Sequence, residues 1–328
     1  MTPPKRRPPP AWFDDQYNNR ARIPEHLAIL QHWADASALA RAHLAGVLDV
    51  PYGADPSERL DIFPAAPPGG VAAGPLAPVL VHIHGGYWRA LDKRDQSFIA
   101  PPFVAAGAMV VLPNHALCPA VGIEHIVMQL VRALAWVYRH AAEYGGDASR
   151  IVVSGHSAGG HLAAMLLACD WRAVAPDLPA DLVGAALSIS GVFDLEPLRH
   201  APFLAPDLKL TAASARRLSP ALMPAPRGRL VALVGGDESA EFQRQNALIA
   251  EAWGPQVLAV EAVPGRHHMN VLNELAEPGS RTHRWGLQLL GLTTFDATLA
   301  DQANVQYGDP KGDPNADQAG APRLPKLG

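Results

Sequence analysis

The pentad Gly155-His156-Ser157-Ala158-Gly159, with Gly160 beyond it, constrains this chain more than any other stretch. It follows residues 150–154 (RIVVS), an apolar run of buried-strand type, and opens directly into a helical pattern over 158–169. A G-x-S-x-G turn in that setting places a serine on a sharp strand-to-helix corner. Side chains two positions to either side of the serine would crowd the corner, and glycine removes the crowding. The hydroxyl then projects outward at the amino end of a helix, where the dipole favours developing negative charge. Ser157 is therefore the candidate nucleophile. The fold must let a buried strand feed a helix with no loop between them.

The remaining pattern is consistent with such a fold. Residues 78–84 (PVLVHIH), 108–112 (AMVVL), 182–190, 230–234 and 257–263 read as further strands. Residues 121–144 carry apolar positions at helical spacing up to Gly145 and Gly146, and 241–253 (EFQRQNALIAEAW) reads as another helix. Nearly continuous apolar strands alternating with helices imply an α/β class with a mainly parallel central sheet and helices on both faces. Residues 17–50 look largely helical, and 195–228 mixes a helix near 210–218 with several prolines. Each of these two segments is a candidate lid or a packing element. One domain over 11–295 is expected. The Pro-rich start (1–10) and the tail over 296–328 are expected to be disordered. Proline lacks the amide a helix needs, and the tail has few large side chains to offset its ordering entropy.

A second motif, His84-Gly85-Gly86-Tyr87-Trp88, closes the strand over 78–84. Acyl transfer builds charge on a carbonyl oxygen, and backbone N–H groups must already point at it. The expected donors are the amides of Gly85 and Gly86 with that of Ala158 after the nucleophile. Tyr87 and Trp88, just past the turn, and His156 beside the serine are expected to line the substrate pocket. His82 and His84 alternate on one strand face, but no third ligand stands at metal spacing, so no metal or other cofactor is expected. His84 is read instead as a brace for the glycine turn.

With a nucleophile on such a turn, the acid and then the histidine follow the serine in chain order. The base belongs on the loop after the strand over 257–263, which reads PGRHHMN. His268 is the choice and His267 the alternative, since pattern does not separate neighbours on a loop. The acid belongs after LVALVG, where Asp237 and Glu238 stand together. Either could orient the imidazole, leaving the other as an N-cap or first-turn carboxylate of the next helix.

Composition narrows the partners. The chain has 328 residues, 48% hydrophobic and 18% charged, with a formal charge of -4. Nothing in that balance attracts nucleic acid, and no run of about 18 uncharged apolar residues suits a membrane span. The basic start lacks an apolar segment of secretory type, so a cytoplasmic location is expected, with Cys118 and Cys169 as reduced, partly buried thiols. The expected partner is a small-molecule ester or amide, and a homodimer is one assembly open to such a chain. A non-catalytic ligand receptor on the same scaffold is the alternative from another class. Such proteins typically lose a triad member, whereas candidates for all three are present here.

HGGYW, GHSAGGH, SGVFDLEPL, GGDESAEFQRQ and PGRHHMNVL, with QYNNRARIPEH and PYGADPSERLDIF nearer the start, together resemble the kynurenine formamidase (arylformamidase) and related bacterial esterase group. The resemblance covers roughly residues 12–292 and implies an α/β-hydrolase fold. It also implies an aryl formamidase or carboxylesterase activity needing no cofactor. Carried onto this sequence, it assigns Ser157 as nucleophile, Gly85 and Gly86 to the oxyanion hole and His268, before Met269, as base. It places the acid directly before S-x-E-F, at Glu238, where animal relatives usually carry aspartate; Asp237 stays the alternative. LPNHALCP at 112–119 departs from the N-Y-R-L-x-P of relatives, which implies a pocket wall altered at His115 and Cys118.

Overall fold

The computed structural model describes residues 7–65 and 75–294, so the segments 1–6 and 296–328 expected to be disordered lie outside the described residues. Three helices come first: α1 (Pro10–Tyr17), α2 (Asn19–Arg22) and α3 (His26–His43). Pro10 opens α1, inside the stretch read as unable to form a helix. A first-turn amide has no intrahelical acceptor, so proline costs nothing there and its fixed φ suits the helix. The helical reading of 17–50 fails at its end. β1 (Val47–Pro51) follows α3 and pairs antiparallel with β2 (Arg59–Phe63). β1 is an edge strand with mostly exposed residues, so it carries no buried period to read.

The central part runs β3 (Ala77–Ile83), α4 (Ala100–Ala105), β4 (Met109–Pro113), α5 (Ile123–His140), β5 (Gly146–His156) and α6 (Ala158–Leu167). Then come α7 (Trp171–Val174), β6 (Ala185–Ile189), α8 (Ala205–Leu208), α9 (Ala212–Arg217) and β7 (Arg229–Gly235). The last part holds α10 (Ala240–Trp253), β8 (Val257–Val263), α11 (Asn273–Ala276) and α12 (Arg281–Leu289). The sheet order is β1-β2-β4-β3-β5-β6-β7-β8. β2 is antiparallel to both neighbours, and β4 through β8 are parallel.

Alternation along β3 builds two cores. Val79, Val81 and Ile83 face the layer that contains buried residues of α5, α6 and α10. Leu80 faces the opposite layer with Val110, Val152 and Leu187, covered by Trp33 of α3, Phe103 of α4 and Trp285 of α12. α5 buries Ile123, Ile126, Leu130, Leu134 and Val137, the stripe its spacing implies. All ten residues of α6 are buried, so the helix after Ser157 is locked inside the molecule. Because β3 and β5 to β8 run parallel, their carboxyl ends share one edge of the sheet, and the loops leaving them meet there. Among the described residues no helix is long and apolar enough to cross a membrane.

Candidate active site

Ser157 sits between β5 and α6 with φ 57° and ψ −117°, a conformation costly for any residue with a Cβ. Its surroundings impose it. The Ser157 amide donates to Ile189 O at 2.8 Å. A Cβ on Gly155 would fall against the Gly159 carbonyl, and one on Gly159 against the carbonyl oxygens of Ile83 and His84. Gly155 is thus required by the tightness of the corner itself, and Gly159 by close backbone approach from β3.

The structure brings Ser157, His268 and Glu238 into one hydrogen-bonded line. His268 Nε2 lies 3.0 Å from Ser157 Oγ, and His268 Nδ1 lies 2.6 Å from Glu238 Oε2. A carboxylate can only accept, so Nδ1 carries the proton and Nε2 is left to accept the serine hydroxyl. Glu238 is enclosed, with its side chain 0% exposed. Its second oxygen, Oε1, accepts from the Gly235 amide at 2.7 Å and from Ser190 Oγ. The His268 ring lies between Phe242 and His156, with centroids 4.4 and 4.9 Å away. His156 Nε2–H donates to the His268 carbonyl at 2.6 Å, tying the loop after β8 to the serine turn. Burial, aided by the nearby His268, holds the pKa of His156 well below the usual imidazole range, so it stays neutral.

The alternatives lie elsewhere. Asp237 is exposed, its amide bonded to Arg266 O at 2.9 Å, and does not cap α10; Ser239 is the N-cap, its Oγ accepting from Phe242 N. His267 turns away from Ser157, its Nε2 3.3 Å from Glu25 Oε1 and its Nδ1 accepting the amides of Met269 and Asn270.

The turn after β3 lies against the serine. A Cβ on Gly85 would come 3.3 Å from Ser157 Cβ and 2.7 Å from His156 O. Gly86 has φ +99° and no room for a side chain beside Ala90 O. His84 Nδ1–H donates to Gly85 O at 2.9 Å, and its Nε2 is 3.1 Å from Asn114 Oδ1. A trans peptide points its C=O and N–H in opposite directions, so this anchor aims the Gly86 amide away from His84. Ala158 is the first residue of α6, and a first-turn amide has no partner within its helix.

A cavity of about 290 Å³ opens above Ser157. Tyr87, Gly86, His156, His268 and Met269 line it, with Leu30 and Trp33 from α3, Asn18, Asn19 and Arg20 around α2, and Arg89 and Phe203 opposite. The segments expected over 17–50 and 195–228 therefore both contribute wall. Trp88, expected beside Tyr87, does not. It is fully buried and meets His161 edge-on, centroids 4.9 Å apart. Left-handed φ values at Tyr87 (52°) and Trp88 (57°) turn the chain between the two rings and send the second into the core. His115 and Cys118 do not reach the cavity either. His115 stacks on His84 at 4.4 Å, and burial lowers its pKa to about 3. Cys118 is buried, its amide bonded to Trp88 O at 2.7 Å, and burial pushes its thiol up to about 11. His82 and His84 do not converge on an ion: His82 spans Ser154 Oγ at 2.8 Å and Gln96 Oε1 at 3.0 Å. Among the described residues no three metal-ligating side chains gather.

Several contributors have no motif of their own. Ser190, with φ 52°, bonds Glu238. Gln245 Oε1 accepts the amides of Phe193 and Asp194 at 2.8 Å each, joining SGVFD to α10. Trp33 meets His156 edge-on at 6.1 Å and donates from Nε1 to Asn273 Oδ1 at 2.6 Å. The strings SGVFDLEPL and EFQRQ were the available signal for the first two; nothing local marks Trp33.

Comparison with known proteins agrees with this architecture. The BD-FAE family model matches residues 64–172. A kynurenine formamidase of Danio rerio is 29% identical over 260 residues, covering 77% of this chain and 84% of the relative. Esterase LipQ of Mycobacterium tuberculosis is 35% identical over 160 residues, covering 47% of this chain and 37% of its own. The crystal structure of a putative thioesterase from Silicibacter sp. TM1040 superposes with a TM-score of 0.72 at 30% identity, covering 86% of this chain and 99% of that one. With its sheet order and serine turn, the chain is a hydrolase and belongs to the kynurenine formamidase-like group of α/β-hydrolases.

Proposed function

We propose that this enzyme hydrolyses a carboxylic ester or an aryl formamide through an acyl-enzyme on Ser157. The observation that carries the reading is the unbroken line Ser157–His268–Glu238, at 3.0 and 2.6 Å, on the floor of a small-molecule cavity. In this mechanism His268 Nε2 takes the Ser157 proton as Oγ attacks the carbonyl carbon. Glu238 stabilises the imidazolium that forms. The oxyanion is received by the amides of Gly86 and Ala158, with Gly85 alongside. His268 returns the proton to the leaving amine or alcohol. Water, deprotonated by the same nitrogen, then releases the acid and frees Ser157. Tyr87 and His156 line the bound substrate.

Kynurenine formamidases similar over most of this chain favour a formamide such as N-formyl-kynurenine, which would yield formate and the free arylamine. The esterase relatives favour the second reading, a carboxylesterase for short or aryl esters. Steady-state rates on N-formyl-kynurenine and on p-nitrophenyl esters of increasing acyl length separate the two. Ser157→Ala is expected to lower kcat by about four to six orders of magnitude on the favoured substrate. Turnover within about tenfold of wild type would remove Ser157 from the mechanism.

A further inference from the structure

The cavity wall has an unbalanced charge. Its described lining includes two arginines, Arg20 and Arg89, and no aspartate or glutamate. This stands against a chain whose formal charge is -4. The acids nearby are already engaged: Asp207 pairs with Arg89, Asp15 with Arg22 at 3.5 Å, and Glu25 with His267 at 3.3 Å. The neighbouring amides are engaged too. Asn18 Oδ1 accepts from the Ala21 amide, and Asn19 Nδ2 donates to Tyr87 OH.

Arg89 is preorganised. Its Nη1 donates to Phe203 O at 2.7 Å and to Asp207, and its guanidinium carbon stands 5.6 Å from the Phe203 ring centre. Arg20 is exposed on α2 at the cavity mouth and makes no hydrogen bond or ion pair with a described residue. A rim cation left without a counter-charge beside a mainly apolar cavity raises the local concentration of anions and gives a planar donor fork to a carboxylate.

Building on the hydrolase reading above, we propose that Arg20 is a specificity-determining residue that selects substrates bearing a carboxylate on the part that reaches the cavity mouth. Arg89 is neutralised by Asp207, so Arg20 is the lining cation left to meet a substrate carboxylate. The substrate class is thus an ester or formamide that carries a carboxylate. Arg20 sets KM for that class and takes no part in bond breaking.

The test uses matched substrates that differ by the carboxylate. Mono-4-nitrophenyl glutarate against 4-nitrophenyl pentanoate places the anion on the acyl side. 3-Acetoxybenzoate against phenyl acetate places it on the leaving group. In at least one pair the anionic member is expected to have the higher kcat/KM. Arg20→Ala should lower the anionic-to-neutral ratio by about tenfold through KM, and Arg20→Lys should restore part of it. Raising salt from about 0.02 M to about 0.5 M should erode the same ratio in wild type. Arg22→Ala, on the same short helix but paired with Asp15 and outside the cavity lining, is the control expected to leave the ratio in place. Ratios that ignore both Arg20→Ala and salt in both pairs would overturn the assignment. Ser157-dependent turnover of the neutral esters tests the catalytic reading separately, so the two ideas fail independently.

Discussion

Ser190 shows how a single backbone angle reaches the chemistry. Its φ of 52° at the end of β6 turns Oγ onto Glu238 Oε1, while Oε2 of the same carboxylate faces His268. Glutamate carries one more rotatable bond than aspartate, so two anchors, Ser190 and the Gly235 amide, fix an oxygen that would otherwise swing. Ser190 touches no reacting atom; it is a positioning residue. Ser190→Ala is expected to lower kcat and kcat/KM together by about ten- to a hundredfold, the worth of one hydrogen bond to a charged group, with KM unchanged. Steady-state kinetics on the best substrate checks this, and a variant that shifted KM alone would move Ser190 into the pocket instead.

At the scale of elements, the N-terminal helices are fastened at too many points to behave as a loose flap. Tyr17 OH donates to Glu241 Oε2 at 2.7 Å on α10, and Ser239 Oγ donates to Gln16 O at 2.6 Å. The Phe203 amide donates to Asp14 Oδ1 at 3.2 Å, which joins α1 to the segment between β6 and β7. α3 is held through Trp33, packed on Phe98 and His156 and bonded to Asn273. Trp33→Ala should therefore cost about 3–5 kcal/mol of folding stability, and Trp33→Phe distinctly less, because it keeps most of the buried ring. Urea unfolding of both variants reads this directly. Equal, small losses would mean that α3 docks without its tryptophan.

The whole molecule carries a buried-histidine dependence on pH. Burial lowers His82 to about 4 and His161 to about 4 from the ordinary 6.5, both rings being enclosed in the core. Below about pH 6.5 the unfolded chain protonates these rings while the folded chain keeps them neutral, so unfolding takes up protons. Their contribution to stability is thus complete above about pH 6.5 and is lost as pH falls toward 4. Each ring adds a slope of up to about 1.4 kcal/mol per pH unit in that window. Urea midpoints measured from pH 7.5 down to pH 4.5 should fall steadily below about 6.5, and a flat profile would contradict neutral burial.

Much of the frame was legible locally. Gly155 is demanded by the strand-to-helix corner itself and Gly159 by the approach of β3, and both fall in one short window, so Ser157, its strand and its helix could be read from one stretch, and the buried parallel strands announced themselves as apolar runs. The edge strand β1 could not be read, because an exposed strand leaves no hydrophobic period. Within the candidate site, Ser157 and the glycine turn followed from backbone needs that sequence expresses directly. The choice between Asp237 and Glu238, or between His267 and His268, turns on which side of a loop faces β5 and β6. Neighbouring residues of like chemistry share a pattern and diverge only when long-range contacts fix the backbone. Trp88 entered the core and Trp33 reached His156 for the same reason: a side chain's destination depends on the packing of elements far apart in the chain, which no local window contains.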